Sequence, residues 1–332
     1  MPVQVRQHGL LVYKERDQEA QDNEHLRVGR QKLTTAGYNG EMSVKTKSKV
    51  KRYVTNWLTT LNAASGNAFA PLEAQRHRLV FITLTLPAAQ MHDDNYLKRH
   101  ALQPFMQELN RRFGVVNYLW RAETQKNGNL HFHVLADQHV PAKELQKLWN
   151  RVMRRLGYIE KYRQNQEAWH SNGFRPRPGL YKNWPRQRQK QAYKTGKSQG
   201  WTRPNTTDIH ALKNVKSVTA YVVKYMSKAG ESRKVDGRLW GCTDEIREVE
   251  GLTLADDSSL FALLQQEVEE GTAERLEGTG FTFYRCQSKD LLNKWFPNGS
   301  DIFTDHFRLQ SANMSGLTVY SHSVNQSQPP PP

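Results

Sequence analysis

The sequence predicts an α+β protein, a central antiparallel sheet with flanking helices. Three observations predict it. A β-branched apolar run, Leu79 to Leu86, stops at Pro87; two strand-like segments, Val116 to Glu123 and Leu130 to Ala136, flank the polar turn Lys126-Asn127-Gly128-Asn129; and apolar residues at helical spacing stand on either side of that pair. A chain of 332 residues can bury a core without disulfides or a structural metal. Its 37% hydrophobic and 24% charged residues, with 21 Gly and 14 Pro, exclude wholesale disorder, collagen and coiled coil. No run approaches the length of a membrane span, and Met1 to Asp17 lacks the layout of a secretion signal. The expectation is therefore a protein working inside a cell, with no membrane partner.

The elements follow in order. Ser43 to Ala64 predicts a helix, with Val50, Tyr53, Val54, Trp57 and Leu61 at helical spacing and a basic N-terminal half. Leu79 to Leu86 predicts a central strand. Asn95 to Phe113 carries Leu97, Leu102, Phe105, Met106 and Leu109 on one helical face, with Pro104 marking a kink or the true start. After the strand pair, a helix beginning at Pro141 and reaching about Arg155 places Leu145, Leu148, Trp149 and Val152 together. Thr207 to Leu212 predicts a short strand and Val215 to Lys228 a helix. No internal repeat is present.

Composition suggests a polar and basic N-terminal extension (1–77), a main domain (78–235) and a C-terminal region (236–332). Within the main domain, residues 161–203 read as an insertion in which eleven Lys or Arg face one Glu and seven aromatics are interleaved. Within the last region, residues 244–278 hold eleven acids and two Arg, and the tail from Ser311 to the four closing prolines is expected to be disordered. The acidic stretch suits a solvated helix face, a partner surface or an internal mimic of DNA. Lys and Arg total 48 against 32 Asp and Glu, a net charge of +16 that draws polyanions, nucleic acid first. The two cysteines, Cys242 and Cys286, fit a reducing compartment and argue against a Cys-ligated zinc finger.

Two constellations could carry chemistry. In Leu130-His131-Phe132-His133-Val134 the histidines stand at i and i+2, so on a strand both imidazoles project from one face. Glu123, across the expected hairpin, could complete a site of two histidines and one acid, and Asp137 competes for that place. The ordinary alternative is a structural histidine pair. His210 could also reach the site if its strand adjoins the one bearing the histidines. In Tyr221-Val222-Val223-Lys224-Tyr225, positions spaced three and four apart bring two phenols and an ammonium to one helical face. A phenol ionises near 10 and is a poor nucleophile alone. Beside a metal-polarised phosphate and a cation it becomes competent, whereas plain aromatic packing is the alternative reading. Thr195-Gly196-Lys197-Ser198 imitates the end of a P-loop but lacks the first Gly, at Gln191, and a preceding strand.

Phe81-Ile82-Thr83-Leu84-Thr85, His131-Phe132-His133 and Tyr221-Val222-Val223-Lys224-Tyr225 occur in the order of the three motifs of the HUH endonuclease superfamily of rolling-circle replication initiators, which residues 78 to 228 resemble. The two-tyrosine form is most similar to the phage gene A type. The resemblance implies an RRM-like core, Mg2+ or Mn2+ held by His131, His133 and Glu123, and Tyr221 and Tyr225 as nucleophiles assisted by Lys224. It implies nicking and rejoining of single-stranded origin DNA in a bacterial host cytoplasm, for a phage or plasmid, with a host helicase and DNA polymerase doing the rest. Arg238-Leu239-Trp240-Gly241 is also similar to a feature of bacterial and phage members, its bland reading being a turn around a buried Trp. The insertion supplies candidate DNA contacts, Arg175, Arg177, Lys182, Trp184, Arg186, Arg188 and Lys190, cations for phosphates and rings for stacking bases, or else it is a flexible charged loop. Relaxases and transposases of the same superfamily, a non-catalytic nucleic-acid-binding regulator and a metal hydrolase using water are the competing readings.

Overall fold

The computed structural model describes residues 3–6, 8–13, 42–64, 66, 68–69, 79–177, 184–211, 232–254, 258–278, 281–296 and 298–314. The protein is α+β, and the described residues form two antiparallel five-stranded sheets. It divides into two compact units: one of residues 1–21, 55–75 and 248–332, the other of residues 22–54 and 76–247.

The second unit is built on β3 (Val80–Leu84), β4 (Tyr118–Thr124), β5 (Leu130–Ala136), β6 (Thr207–Ala211) and β7 (Trp240–Cys242), in the order β6-β3-β5-β4-β7. The strand bearing the histidines is thus the middle one. Side chains alternate along a strand. The register Thr83↔His133, Arg121↔His133 and Glu123↔His131 therefore puts these five on one face, while Ile82, Leu84, Phe132 and Val134 point from the other. That second face is covered by helices. Trp149, on α4 (Ala142–Arg155), meets Phe132 edge-on at 6.4 Å and Phe105, on α3 (Gln103–Phe113), at 5.2 Å, and its indole N–H donates to the Thr85 carbonyl at 2.8 Å. All three rings are fully buried, so the apolar spacing read from the sequence is the inward stripe of each helix.

Local chemistry explains the boundaries. The expected single helix 95–113 is α2 (Asp94–Leu97), a π-helical turn (Lys98–Leu102) and α3 in succession. Pro104 has no N–H to return to a carbonyl one turn back, and the wider turn accommodates that gap. Gly114 ends α3 in the left-handed region at φ 66°, its N–H returning to Asn110. Gly128 does the same service in the β4–β5 turn at φ 82°. The strand expected over 207–212 is β6, and it pairs with β3, not with β5.

The unit of residues 1–21, 55–75 and 248–332 contains β1 (Val3–Arg6), β2 (Gly9–Tyr13), β8 (Thr253–Leu254), β9 (Glu274–Gly278) and β10 (Phe281–Arg285), in the order β8-β1-β2-β10-β9. Residues 1–78 predict one helix and no strand. The hairpin β1–β2 is an addition, and β10 pairs along all of β2 from Tyr13 to Gly9. The expected helix is α1 (Val44–Ala64); Asn56 on it donates to the Val249 carbonyl at 3.0 Å. The disorder expected from Ser311 does not begin there: residues 311–313 close a helix, Gly299–Asn313, with Ser311 buried, and the tail beyond residue 314 lies outside the described residues.

Candidate metal centre

Glu123, His131 and His133 converge. Glu123 Oε1 stands 2.8 Å from His131 Nε2 and 3.0 Å from His133 Nε2, and the two imidazole nitrogens are 3.1 Å apart. The β-ladder builds this, since Glu123 pairs with His131 and the second histidine follows two residues on. Three donor atoms so close repel one another unless protons or a cation stand between them. Ligands on one face of an octahedral ion with bonds of about 2.1 Å lie about 3 Å apart, so the triangle fits a small divalent cation. The contact behind His133 agrees: its Nδ1 lies 3.1 Å from Thr83 Oγ1, which lets the ring give its N–H to Thr83 and turn its Nε2 lone pair into the site. Phe81 stacks on the same imidazole at 5.2 Å and holds its plane. Glu123 Oε2 and His131 Nδ1 are buried with no hydrogen-bond partner among the described residues; the carboxylate oxygen is an acceptor left open for an ion or its waters, and with His131 Nε2 turned into the trio the Nδ1–H is a donor left open.

Burial opposes ionisation of Glu123, but hydrogen bonds from both histidines and their charge outweigh it and hold its carboxyl down at about 2. It is a carboxylate at any working pH. The rival acid is elsewhere: Asp137 follows the far end of β5, six residues from His131 and so about 20 Å along the strand. There it caps the hairpin, accepting from the backbone N–H and the side-chain amide of Asn117, both at 2.9 Å. Desolvation pushes it up to about 6 against those hydrogen bonds. His210 is also separated from β5, because β3 lies between the two strands.

Two features escaped the sequence reading. Arg121 is 1% exposed, faces the same side as the trio across from His133, and donates to the Leu239 carbonyl at 3.2 Å. Its signal was a cation at an inward position of an alternating strand. The second is a clamp. The Arg233 guanidinium grips the buried Asp94 with both terminal nitrogens, at 2.7 and 2.6 Å, and reaches the carbonyl of Gly128 at 2.9 Å. Asp94 also accepts from Gln90 at 2.8 Å and from the Asp236 N–H at 2.9 Å, Lys98 donates to the Asp236 carbonyl, and Thr124 donates to the Arg233 carbonyl at 2.9 Å. Residues 232–236 are thereby fastened to the hairpin that carries Glu123 and His131.

Tyr221, Lys224 and Tyr225, with the expected helix 215–228, lie outside the described residues. Arg238-Leu239-Trp240-Gly241 is not a turn around a buried Trp: it leads into edge strand β7, where Trp240 is half-buried and tilted against Tyr53 at 6.1 Å. A Cβ at Gly241 would come within 2.7 Å of Trp120 Nε1.

The insertion is helical, with α5 (Tyr158–Trp169) and α6 (Arg186–Ser198). Lys182 lies outside the described residues; Arg175 and Arg177 sit 4.2 and 4.7 Å over the Trp169 ring, and Arg188 sits 4.2 Å over Trp184. Arg186, Arg188 and Lys190 are exposed on α6. Thr195-Gly196-Lys197-Ser198 forms the last turn of that helix and not a phosphate loop.

No helix among the described residues is long and apolar enough to cross a membrane. No curated protein and no solved structure matches the chain. Residues 79–230, from the start of β3 past the tyrosine motif, match the family described as Replication-associated protein ORF2/G2P, and the trio lies inside that span. The match, with a three-residue group able to hold a metal ion, supports a Rep-type replication initiator whose partner is DNA.

Proposed function

We propose that the chain starts rolling-circle replication by nicking and rejoining single-stranded origin DNA through a 5′-phosphotyrosine intermediate. The observation that carries this is the convergence of Glu123, His131 and His133 within the matched span, which also contains Tyr221, Lys224 and Tyr225. A divalent ion held by the trio, Mg2+ or Mn2+, supplies polarisation of the scissile phosphate. The Tyr221 phenolate oxygen attacks phosphorus and the bond to the 3′ oxygen breaks. That oxygen takes up a proton as a free 3′-hydroxyl, and the 5′-phosphate stays on the tyrosine. The Lys224 ammonium offsets charge building on the phosphoryl oxygens. After a round of synthesis Tyr225 attacks the regenerated junction, and the 3′-hydroxyl it releases displaces Tyr221 and closes a circle. One phosphoester is exchanged for another at each step, so no nucleotide hydrolysis is needed; unwinding and synthesis fall to a host helicase and DNA polymerase.

The test incubates the protein with Mn2+ and end-labelled single-stranded origin DNA, and a denaturing gel is searched for a slower, protease-sensitive band. The band should require the metal and vanish in the Tyr221→Phe/Tyr225→Phe variant. Cleavage without an adduct would replace the reading with a water-using hydrolase, and binding without cleavage would replace it with a non-catalytic regulator.

A further inference from the structure

Helix α6 is charged in a way that its neighbour is not. On α5, Arg163 is answered by Glu160 at 2.9 Å and Glu167 at 3.9 Å. From Arg186 to Ser198, α6 carries five Lys or Arg and no acid. Such a helix repels itself until a polyanion arrives.

Its faces are sorted. Gln189, Tyr193 and Gly196 are the half-buried positions, spaced four and three, and they seat the helix. Gln189 accepts from the Arg177 N–H at 3.0 Å and donates to the Trp184 carbonyl at 3.1 Å. Tyr193 packs on His170 at 4.7 Å and Phe174 at 5.6 Å, and Gly196 leaves room for the Trp201 ring. At 100° per residue the opposite stripe is Gln187, Gln191 and Lys194, with Lys190 and Lys197 on one flank and Arg188 on the other. Amides that both donate and accept thus stand at the crest, and cations stand where phosphates would run beside it.

Among the described residues, the rings around α6 are already engaged. Phe174, Tyr193 and Trp201 pack with His170, which lies parallel to Trp201 at 5.4 Å, while Trp169 and Trp184 each have a face covered by a guanidinium. Single-strand binding by stacking needs free ring faces. An exposed helix about 20 Å long, seated by Gln189, Tyr193 and Gly196, basic and amide-bearing, instead matches what the major groove of a duplex admits.

We infer that α6 docks duplex DNA through the Gln187–Gln191–Lys194 stripe and its flanking cations, a surface for the double-stranded region beside the nick. This rests on reading the chain as an initiator acting on DNA. The test measures binding of the full-length protein to a mixed-sequence 30-base-pair duplex and to an unpaired 30-nucleotide strand, by fluorescence anisotropy across salt concentrations. A salt slope of about 0.9 per phosphate contact makes each contact worth about fivefold at 0.15 M salt. The Lys194→Ala/Lys197→Ala variant should therefore lose about thirtyfold on the duplex, with a slope shallower by about 2, and less than threefold on the single strand. Both substitutions are at exposed helical positions and favour helix, and an unchanged circular dichroism melt confirms the fold. Unchanged duplex affinity, or an equal loss on both probes, overturns the inference. Adduct formation by the unaltered protein is scored separately: its absence removes the phosphotyrosine reading while the duplex result stands or falls by itself.

Discussion

Asp94→Asn exchanges one carboxylate oxygen for an NH2 group at the point where four N–H donors converge, two from Arg233, one from Gln90 and one from the Asp236 backbone. The remaining carbonyl can serve two of them. The other two lose an acceptor, and the new NH2 points at donors inside a site that is 1% exposed. One charge-assisted and one neutral hydrogen bond together are worth about 3 kcal/mol, less than breaking a fully buried pair because the Arg233 side chain is 36% exposed and can turn to water. For a unit of this size that corresponds to a fall of about 6–12 °C in Tm. Burial works against ionisation of Asp94, but hydrogen bonds from Arg233, Gln90 and Asp236 and the Arg233 charge hold its carboxyl below the usual value. A depressed carboxyl contributes stability that is complete above the unfolded-state pKa and lost as pH falls through the folded one. The gap between native and variant should persist from pH 7 to about pH 4 and close below that. Thermal melts across pH measure it, and hydrogen exchange at the Asp236 amide should rise with it. A Tm loss under about 2 °C at pH 7, or a gap that widens in acid, would refute the clamp.

Other outcomes follow from separate features. Thr83→Val removes the partner of His133 Nδ1 at nearly constant volume, and Mn2+ affinity by calorimetry should drop about 10–100-fold with little change in Tm. Asp137 has the opposite linkage to Asp94. Its raised pKa means that the folded state binds the extra proton, so stability declines as pH rises from about 4 to about 6, by roughly 2–3 kcal/mol, and Asp137→Asn should flatten that stretch of a urea-midpoint profile. Gly196→Ala would place a Cβ 2.0 Å from Trp201 Cζ3, where the indole is packed against His170 and cannot simply retreat. The aromatic signal in near-ultraviolet circular dichroism should weaken, with a cost of about 1–3 kcal/mol.

What the sequence revealed was what short range encodes. Alternation and β-branching in Val80–Leu84, and the Gly128 turn, were enough to place Glu123 across from His131, because a hairpin register is local. The inward stripe of α4 was equally legible from Leu145, Leu148, Trp149 and Val152. Asp137 was a false rival because a strand's length, not its sequence neighbourhood, sets which residues share an end. Arg233 and Asp94 are separated by 139 positions, and nothing in either neighbourhood marks the other. Strands β1 and β2 pair with each other across a short hairpin, but the outer partners that complete their sheet, β8 and β10, lie past residue 250. Helix α6 was masked by its charge: with only Gln189, Tyr193 and Gly196 turned inward, its apolar period is too sparse to register.

The pairing of β2 with β10 sets an order of assembly during synthesis. Every described strand of the sheet holding Glu123, His131 and His133 has emerged once residue 242 has left the ribosome, so that sheet can close while later residues are still being made. Residues 9–13 emerge well before residues 281–285 and must wait for them. For that interval β2 presents an unpaired edge of Leu10, Leu11 and Val12, a template for pairing with another chain. Fragments cut before residue 281 keep that edge for good, so the proportion of aggregated product among truncated forms should rise sharply when β10 is lost and not when the cut falls after it.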